Sequence, residues 1–185
     1  MKNFVTICIA LILSSCSGLG LGLGLGVPNE SDPAKLNEIG AARLDQQRRP
    51  DGAMLAFKMA ADEAIRQNQP RELAVAYNGL GRVYMFPFPR RNPALAEEYY
   101  RKSLAINESL GFKYYAAENH ANLAEIFFDE KKDKLAACRE LGDASRLTTP
   151  FTVRPAELCE GVSQEDVASR FSAFLVRQKI RLGCN

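Results

Sequence analysis

The chain repeats itself. Ile39-Gly40, Leu80-Gly81 and Leu123-Ala124 each sit inside an amphipathic segment, and Arg43, Tyr84 and Phe127 lie one helical turn further on. In the segments that follow, Ala53, Phe57 and Ala60 are matched by Ala96, Tyr100 and Ser103, and then by Ala137, Leu141 and Ala144. Between the first and third sets every offset is 84 residues (40 to 124, 57 to 141), which is twice 42. The residue types have a packing reason. Gly or Ala lets paired helix axes approach closely, and the aromatic residue or leucine fills the space between successive helix hairpins. A chain patterned in this way buries its apolar stripes by stacking one hairpin on the next.

Caps and prolines punctuate the pattern. Asp32 and Pro33 supply a cap and a first-position proline for a helix running to about Arg48, ahead of Pro50. A second helix follows Asp51 and carries Met54, Phe57, Ala60, Ala61, Ala64 and Ile65 on one face to about Asn68. Pro70 opens the third, which ends near Met85; Asn92-Pro93 repeats the cap and proline, and the fourth continues to Leu110 with Gly111 as its stop. The fifth covers about Lys113 to Phe128 and the sixth about Asp133 to Arg146. An irregular stretch with Pro150 and Pro155 precedes a last helix, from a capping box at Ser163 and Asp166 to Leu182 and the stop Gly183. Its stripe of Val167, Phe171, Phe174 and Leu175 lies opposite Ser169, Arg170, Arg177 and Arg181, as a terminal helix with one wet face requires. The alternative use of that arginine face is contact with lipid headgroups. The expected fold class is all-α.

The N-terminus carries an address. Lys2 precedes an apolar run from Phe4 to Leu13 that is too short to span a bilayer, so residues 1–15 read as a secretory signal peptide. Leu13-Ser14-Ser15-Cys16 resembles the lipobox of bacterial lipoproteins. The resemblance implies that the Cys16 thiol is linked to diacylglycerol and that cleavage leaves Cys16 as the acylated first residue. Ser17, where such proteins carry aspartate for inner-membrane retention, implies the outer membrane with the body facing the periplasm; surface display is the other option. Residues 16–30 form a tether whose Gly-Leu alternation from Gly18 to Gly26 either swings freely or lays its leucines in the lipid interface.

Composition narrows the chemistry. The chain has 24 basic and 22 acidic residues, a formal charge of +2 that falls to about +1 when Lys2 is removed, which gives no electrostatic case for nucleic acid. There is one histidine, and no nucleophile–base pair or phosphate-binding glycine loop stands at a recognisable spacing, so an enzyme is not expected. His120 reads as a packed or rim residue, and neither a metal nor a cofactor is expected. Cys138, Cys159 and Cys184 remain after Cys8 is cleaved off and Cys16 lipidated, and an oxidising compartment favours pairing of two of them. A straight helix of about 18 residues would hold Cys159 and Cys184 roughly 27 Å apart. That leaves Cys138 with Cys159 or with Cys184, the former slightly preferred.

Tyr77, Leu80, Gly81 and Tyr84, followed by Ala96, Tyr100 and Ser103, resemble the motif of the tetratricopeptide repeat (TPR) family in its longer variety of about 42 residues, with Sel1-like repeats as near relatives. The resemblance runs from about Ala34 to Arg146 and is weakest in the first repeat, where Arg43 replaces the aromatic. It implies a right-handed superhelical array of about three hairpins over residues 31–146, closed by a capping segment and helix over 147–185. The family's inner surface is lined by the first helix of each pair, here Asn37, Ala41 and Leu44, then Asn78, Arg82 and Phe86, then Ala121, Glu125 and Phe128. Asparagines and basic residues there clamp extended peptides and their carboxylates, so Asn37, Asn78 and Arg82 are the expected groove residues, against the plainer reading of a solvated face. The loop from Met85 to Pro93 offers a second surface through Phe86, Phe88, Arg90 and Arg91, unless its phenylalanines fold back over the hairpin end. The implied role is a membrane-held adaptor or assembly factor for a periplasmic or outer-membrane protein. The alternative is an immunity or inhibitor lipoprotein neutralising a secreted toxin or hydrolase.

Overall fold

The computed structural model describes residues 30–87, 91–148 and 163–184. The expected signal peptide, Cys16, the Gly-Leu tether, Phe88, Arg90 and Cys159 lie outside these residues. All regular structure among the described residues is helical: α1 (Pro33–Asp45), α2 (Pro50–Arg66), α3 (Pro70–Met85), α4 (Pro93–Ser109), α5 (Lys113–Glu125), α6 (Lys134–Leu147) and α7 (Gln164–Leu182), with a π-helical turn Ile126–Glu130 after α5. Among the described residues no helix is long and apolar enough to cross a membrane. The chain divides into two compact units, one ending at Leu110 and the other beginning at Gly111.

In the first unit α1 packs on α2 and α3, and α3 packs on α2 and α4. Glycine makes the close approaches possible. A Cβ built on Gly40 of α1 would lie 2.7 Å from the Phe57 ring, and one built on Gly79 of α3 would lie 2.4 Å from the same ring. Phe57 of α2 is therefore held between two bare backbones. Gly81 repeats the device against Tyr100 of α4, where a Cβ would come within 2.5 Å of the ring. Leu44, Ala53, Leu80 and Val83 complete that core, and Leu36, Ala60, Ala61 and Ala76 form a second cluster beside it. Ser103, fully buried, donates its hydroxyl to the Ala74 carbonyl at 2.8 Å, so the small polar residue in α4 is satisfied by α3. Arg43, standing where later hairpins have an aromatic, reaches from α1 to the Gly52 carbonyl at 3.2 Å.

The second unit packs α5, α6 and α7 around Tyr114, Ala124, Leu141, Val167, Phe171, Phe174 and Leu175. The apolar stripe expected on the last helix is buried, and Ser169, Arg170, Arg177 and Arg181 are exposed. Cys138 of α6 is bonded to Cys184, which follows α7, across a Cα–Cα distance of 5.4 Å. This corrects the preference for Cys159 as the partner. The reason is tertiary: α7 runs back along α6, and its stop at Gly183 (φ 62°) delivers Cys184 beside the start of α6.

Helix ends obey local rules closely. Asp32 accepts from the Ala34 N–H at 2.9 Å, Asn92 from Leu95 at 3.1 Å and Asp133 from Ala136 at 2.9 Å. The capping box of α7 differs in detail: Ser163 Oγ accepts from the Asp166 N–H at 3.0 Å, and its hydroxyl donates to the Asp166 carboxylate at 2.7 Å. The first helix stops at Asp45 and not at Arg48, because Arg48 turns left-handed (φ 51°) and the Arg49 N–H closes on the Arg43 carbonyl at 2.7 Å ahead of Pro50. Asn68 (φ 52°), with Gln69 bonded to the Ala64 carbonyl at 2.8 Å ahead of Pro70, ends α2 in the same way. The fifth helix, expected to stay regular to Phe128, leaves α geometry at Ile126. The wider turn lets the consecutive residues Phe127 and Phe128 both pack against the core of the second unit.

Candidate functional site

The stripe expected to line a groove is largely consumed by contacts between helices. Asn37 is buried, and its amide donates to the Glu72 carbonyl at 3.0 Å and to the Glu72 carboxylate at 3.2 Å, so it fastens α1 to α3. Arg82 pairs with Asp45 of α1, the two side chains being only 10% and 8% exposed. An arginine so held has its charge answered within the hairpin stack, and removing either partner would strand a buried charge. Leu44 is in the core. Asn78 alone of the three predicted groove residues keeps a half-buried position with no inter-helix hydrogen bond among the described residues. Glu72 and Asp45, the partners that occupy Asn37 and Arg82, carried no signal in the sequence beyond being acids on neighbouring helices.

The loop after α3 begins by folding back. Phe86 packs against the Phe57 core, and the Arg48 guanidinium lies 5.7 Å from its ring centroid. Arg91 donates to the Met85 carbonyl at 3.0 Å, and the Asn92 N–H donates to the Tyr84 carbonyl at 2.7 Å, pinning the two ends of the loop together. For Phe86 the fold-back reading is the one observed.

The middle hairpin also carries a group that sequence reasoning passed over. Tyr99 of α4 stacks on Tyr84 of α3 at 5.7 Å between centroids and meets Tyr77 at 5.8 Å. The Lys102 ammonium lies 5.2 Å from the Tyr99 ring and 5.8 Å from Tyr77, and its stem places it on Glu98 at 2.6 Å. Burial raises the Tyr99 hydroxyl pKa above its ordinary value, with the neighbouring Tyr84 adding to the effect. The hydrogen bond that Lys102 donates to the Glu98 carboxylate raises the lysine's pKa in turn, keeping it charged. All three tyrosines are partly exposed, so the hairpin offers a half-wet aromatic surface with one cation on it. The available signal was the doublet Tyr99-Tyr100: one member must face the core, which leaves the other outside.

No protein-family model, no curated protein and no solved structure matches the chain. Its site therefore rests on geometry.

In the second unit His120 Nδ1 lies 2.6 Å from Glu140 Oε2, joining α5 to α6. Expected as a packed or rim residue, His120 is largely packed, at 12% side-chain exposure, and its acidic partner is a residue the sequence did not single out. Arg181 of α7 reaches Asp129 in the π turn at 2.8 Å, so at least one arginine of the terminal helix is engaged in holding that helix.

Proposed function

We propose that this chain is a lipid-anchored adaptor or assembly factor, a stack of TPR-like hairpins held at the outer membrane by acylated Cys16 and binding a partner protein in the periplasm. The observation that carries the reading is the middle hairpin's surface, where Tyr77, Tyr84 and Tyr99 remain partly exposed beside Lys102 although the hairpin has an apolar core to hide them in. Tyrosine is among the residues enriched at interface hot spots. Asn78, on the helix that carries Tyr77 and Tyr84 but about 100° around it from Tyr77, is half-buried and supplies a second, neighbouring polar group to test. The Phe57 ring between Gly40 and Gly79 supports hairpin stacking of the TPR kind, since it is shared by one pair and the next. Enzymatic chemistry forms no part of this proposal.

Capture from crosslinked, detergent-solubilised cells tests the surface. Replacing Lys102 by Glu and Asn78 by Asp changes half-exposed groups with little effect on the core, and the principal captured protein should fall at least about tenfold, the share expected of a hot-spot contact. A captured set identical to that of the parent would sink the surface. A single secreted toxin or hydrolase as the captured protein would replace the adaptor role by the inhibitor one. The anchor is tested separately: Cys16→Ser should move the protein from the membrane pellet to the soluble fraction and abolish palmitate labelling. Retention of that variant on membranes would remove the lipid anchor from the proposal.

A further inference from the structure

The corner where α5 meets α6 holds an imidazole and two carboxylates. Ligand atoms of His120, Glu140 and Asp143 all lie within 4.8 Å of one another. His120 and Glu140 are largely buried, at 12% and 16% side-chain exposure, and Asp143 stands at their rim, at 34%. Glu140 and Asp143 are spaced i, i+3 and so share one face of α6, the face that looks at His120.

The same corner exists in the other hairpins with other contents. Counting back 84 positions from His120, Glu140 and Asp143 gives Leu36, Ala56 and Met59, an apolar set of which the first two are fully buried. In the middle hairpin the residues at the same register are Tyr77, Tyr99 and Lys102: Tyr77 stands three before Leu80 as His120 stands three before Leu123, and Tyr99 and Lys102 precede Tyr100 and Ser103 as Glu140 and Asp143 precede Leu141 and Ala144. The place filled by apolar side chains in the first hairpin, and by two tyrosines and a lysine in the middle one, is occupied in this hairpin by one nitrogen and two carboxylate ligands together. A single polar replacement would be unremarkable drift. Three converging ones form a donor set.

We propose that His120, Glu140 and Asp143 bind a divalent first-row transition-metal cation, Zn²⁺ foremost. Carboxylates and imidazoles projecting from facing helices are the groups from which helix bundles build metal sites. One nitrogen and two oxygens suit Zn²⁺, whose bonds of about 2.0–2.2 Å in a tetrahedral site set ligand atoms about 3.4 Å apart. His120 Nδ1 and Glu140 Oε2, now 2.6 Å apart, would part by under about 1 Å and the widest pair, within 4.8 Å, would close by roughly 1 Å, movements within reach of side-chain rotation. Asp143 is held by Arg146, but that arginine is 75% exposed and its i, i+3 pair is of the weak surface kind, so the carboxylate is free to turn inward. Three protein ligands leave the remaining coordination positions to water. The site does not depend on the adaptor reading.

Calorimetric titration of ZnCl₂ into the full, chelator-treated chain in detergent should show one ion per chain, and Co²⁺ should give visible absorption of a bound ion at the same stoichiometry. Glu140→Gln and Asp143→Asn should each weaken binding at least about tenfold. His120→Tyr, which installs the middle hairpin's own residue, should do the same with the helical circular dichroism intact; if it fails to fold, the two carboxylate variants carry the test. Cys159→Ser should leave binding unchanged. Absence of saturable binding overturns the proposal, as does binding that survives His120→Tyr and Glu140→Gln or disappears with Cys159→Ser.

Discussion

Phe57→Ala should destabilise the unit built from α1 to α4 by about 3–5 kcal/mol, the range for deleting a buried phenylalanine. The upper part of that range is expected because the walls are ill suited to collapse. Two sides of the vacated space are the backbones of Gly40 and Gly79, which have no side chains to move into it. The same geometry makes a sharper prediction about sign. Glycine in a helix interior is worse than alanine by about 1 kcal/mol, so Gly79→Ala should stabilise if propensity alone decided. In the parent protein it should destabilise, since the new Cβ would sit 2.4 Å from the Phe57 ring and overpacking of a tight core costs about 1–3 kcal/mol. In the Phe57→Ala background the ring is gone, and Gly79→Ala should then stabilise. Urea unfolding of the four proteins closes a double-mutant cycle. If Gly79→Ala has the same sign in both backgrounds, Phe57 is not the residue that requires the glycine.

The second large effect concerns the other unit. Removing the Cys138–Cys184 bond, by reduction or by paired serine substitution, should lower stability by about 4 kcal/mol, the loop-entropy value for a closed loop of 46 residues. The bond joins the second turn of α6 to the residue just beyond α7 and so restrains both ends of a segment that contains the whole terminal helix. Without it, α7 keeps Val167, Phe171, Phe174 and Leu175 against the core but loses the restraint on its C-terminal end. Denaturant unfolding with and without a reductant measures the difference. Peptide mapping of the oxidised protein should recover Cys138 linked to Cys184, and recovery of Cys159 in the linked peptide would contradict the pairing.

What could be read from the chain in advance was governed by short-range rules. Asp32-Pro33, Asn92-Pro93, Ser163 with Asp166, Gly111 and Gly183 each mark a helix end through groups no more than a turn apart, and each marks one in the structure. The small-and-large alternation at Gly40, Phe57, Gly81 and Tyr100 was legible because close packing restricts residue volume at those places whatever the neighbours are. The site was much less legible. Asn37 and Arg82 had the right chemistry for gripping a peptide, but Glu72 and Asp45 lie 35 and 37 residues from them along the chain and take up those groups first.

The sequence by itself thus determined where helices begin and end, that they pair, and which faces they bury, since backbone hydrogen bonding and apolar periodicity act over one to four residues. Only the tertiary structure decided which acid meets Asn37, Arg82 and His120, which cysteine meets Cys138, and why the chain widens into a π turn at Ile126. Those outcomes depend on the lateral register of one helix against another. A shift of one turn along the axis, about 5.4 Å, would leave every local signal in place and exchange every partner.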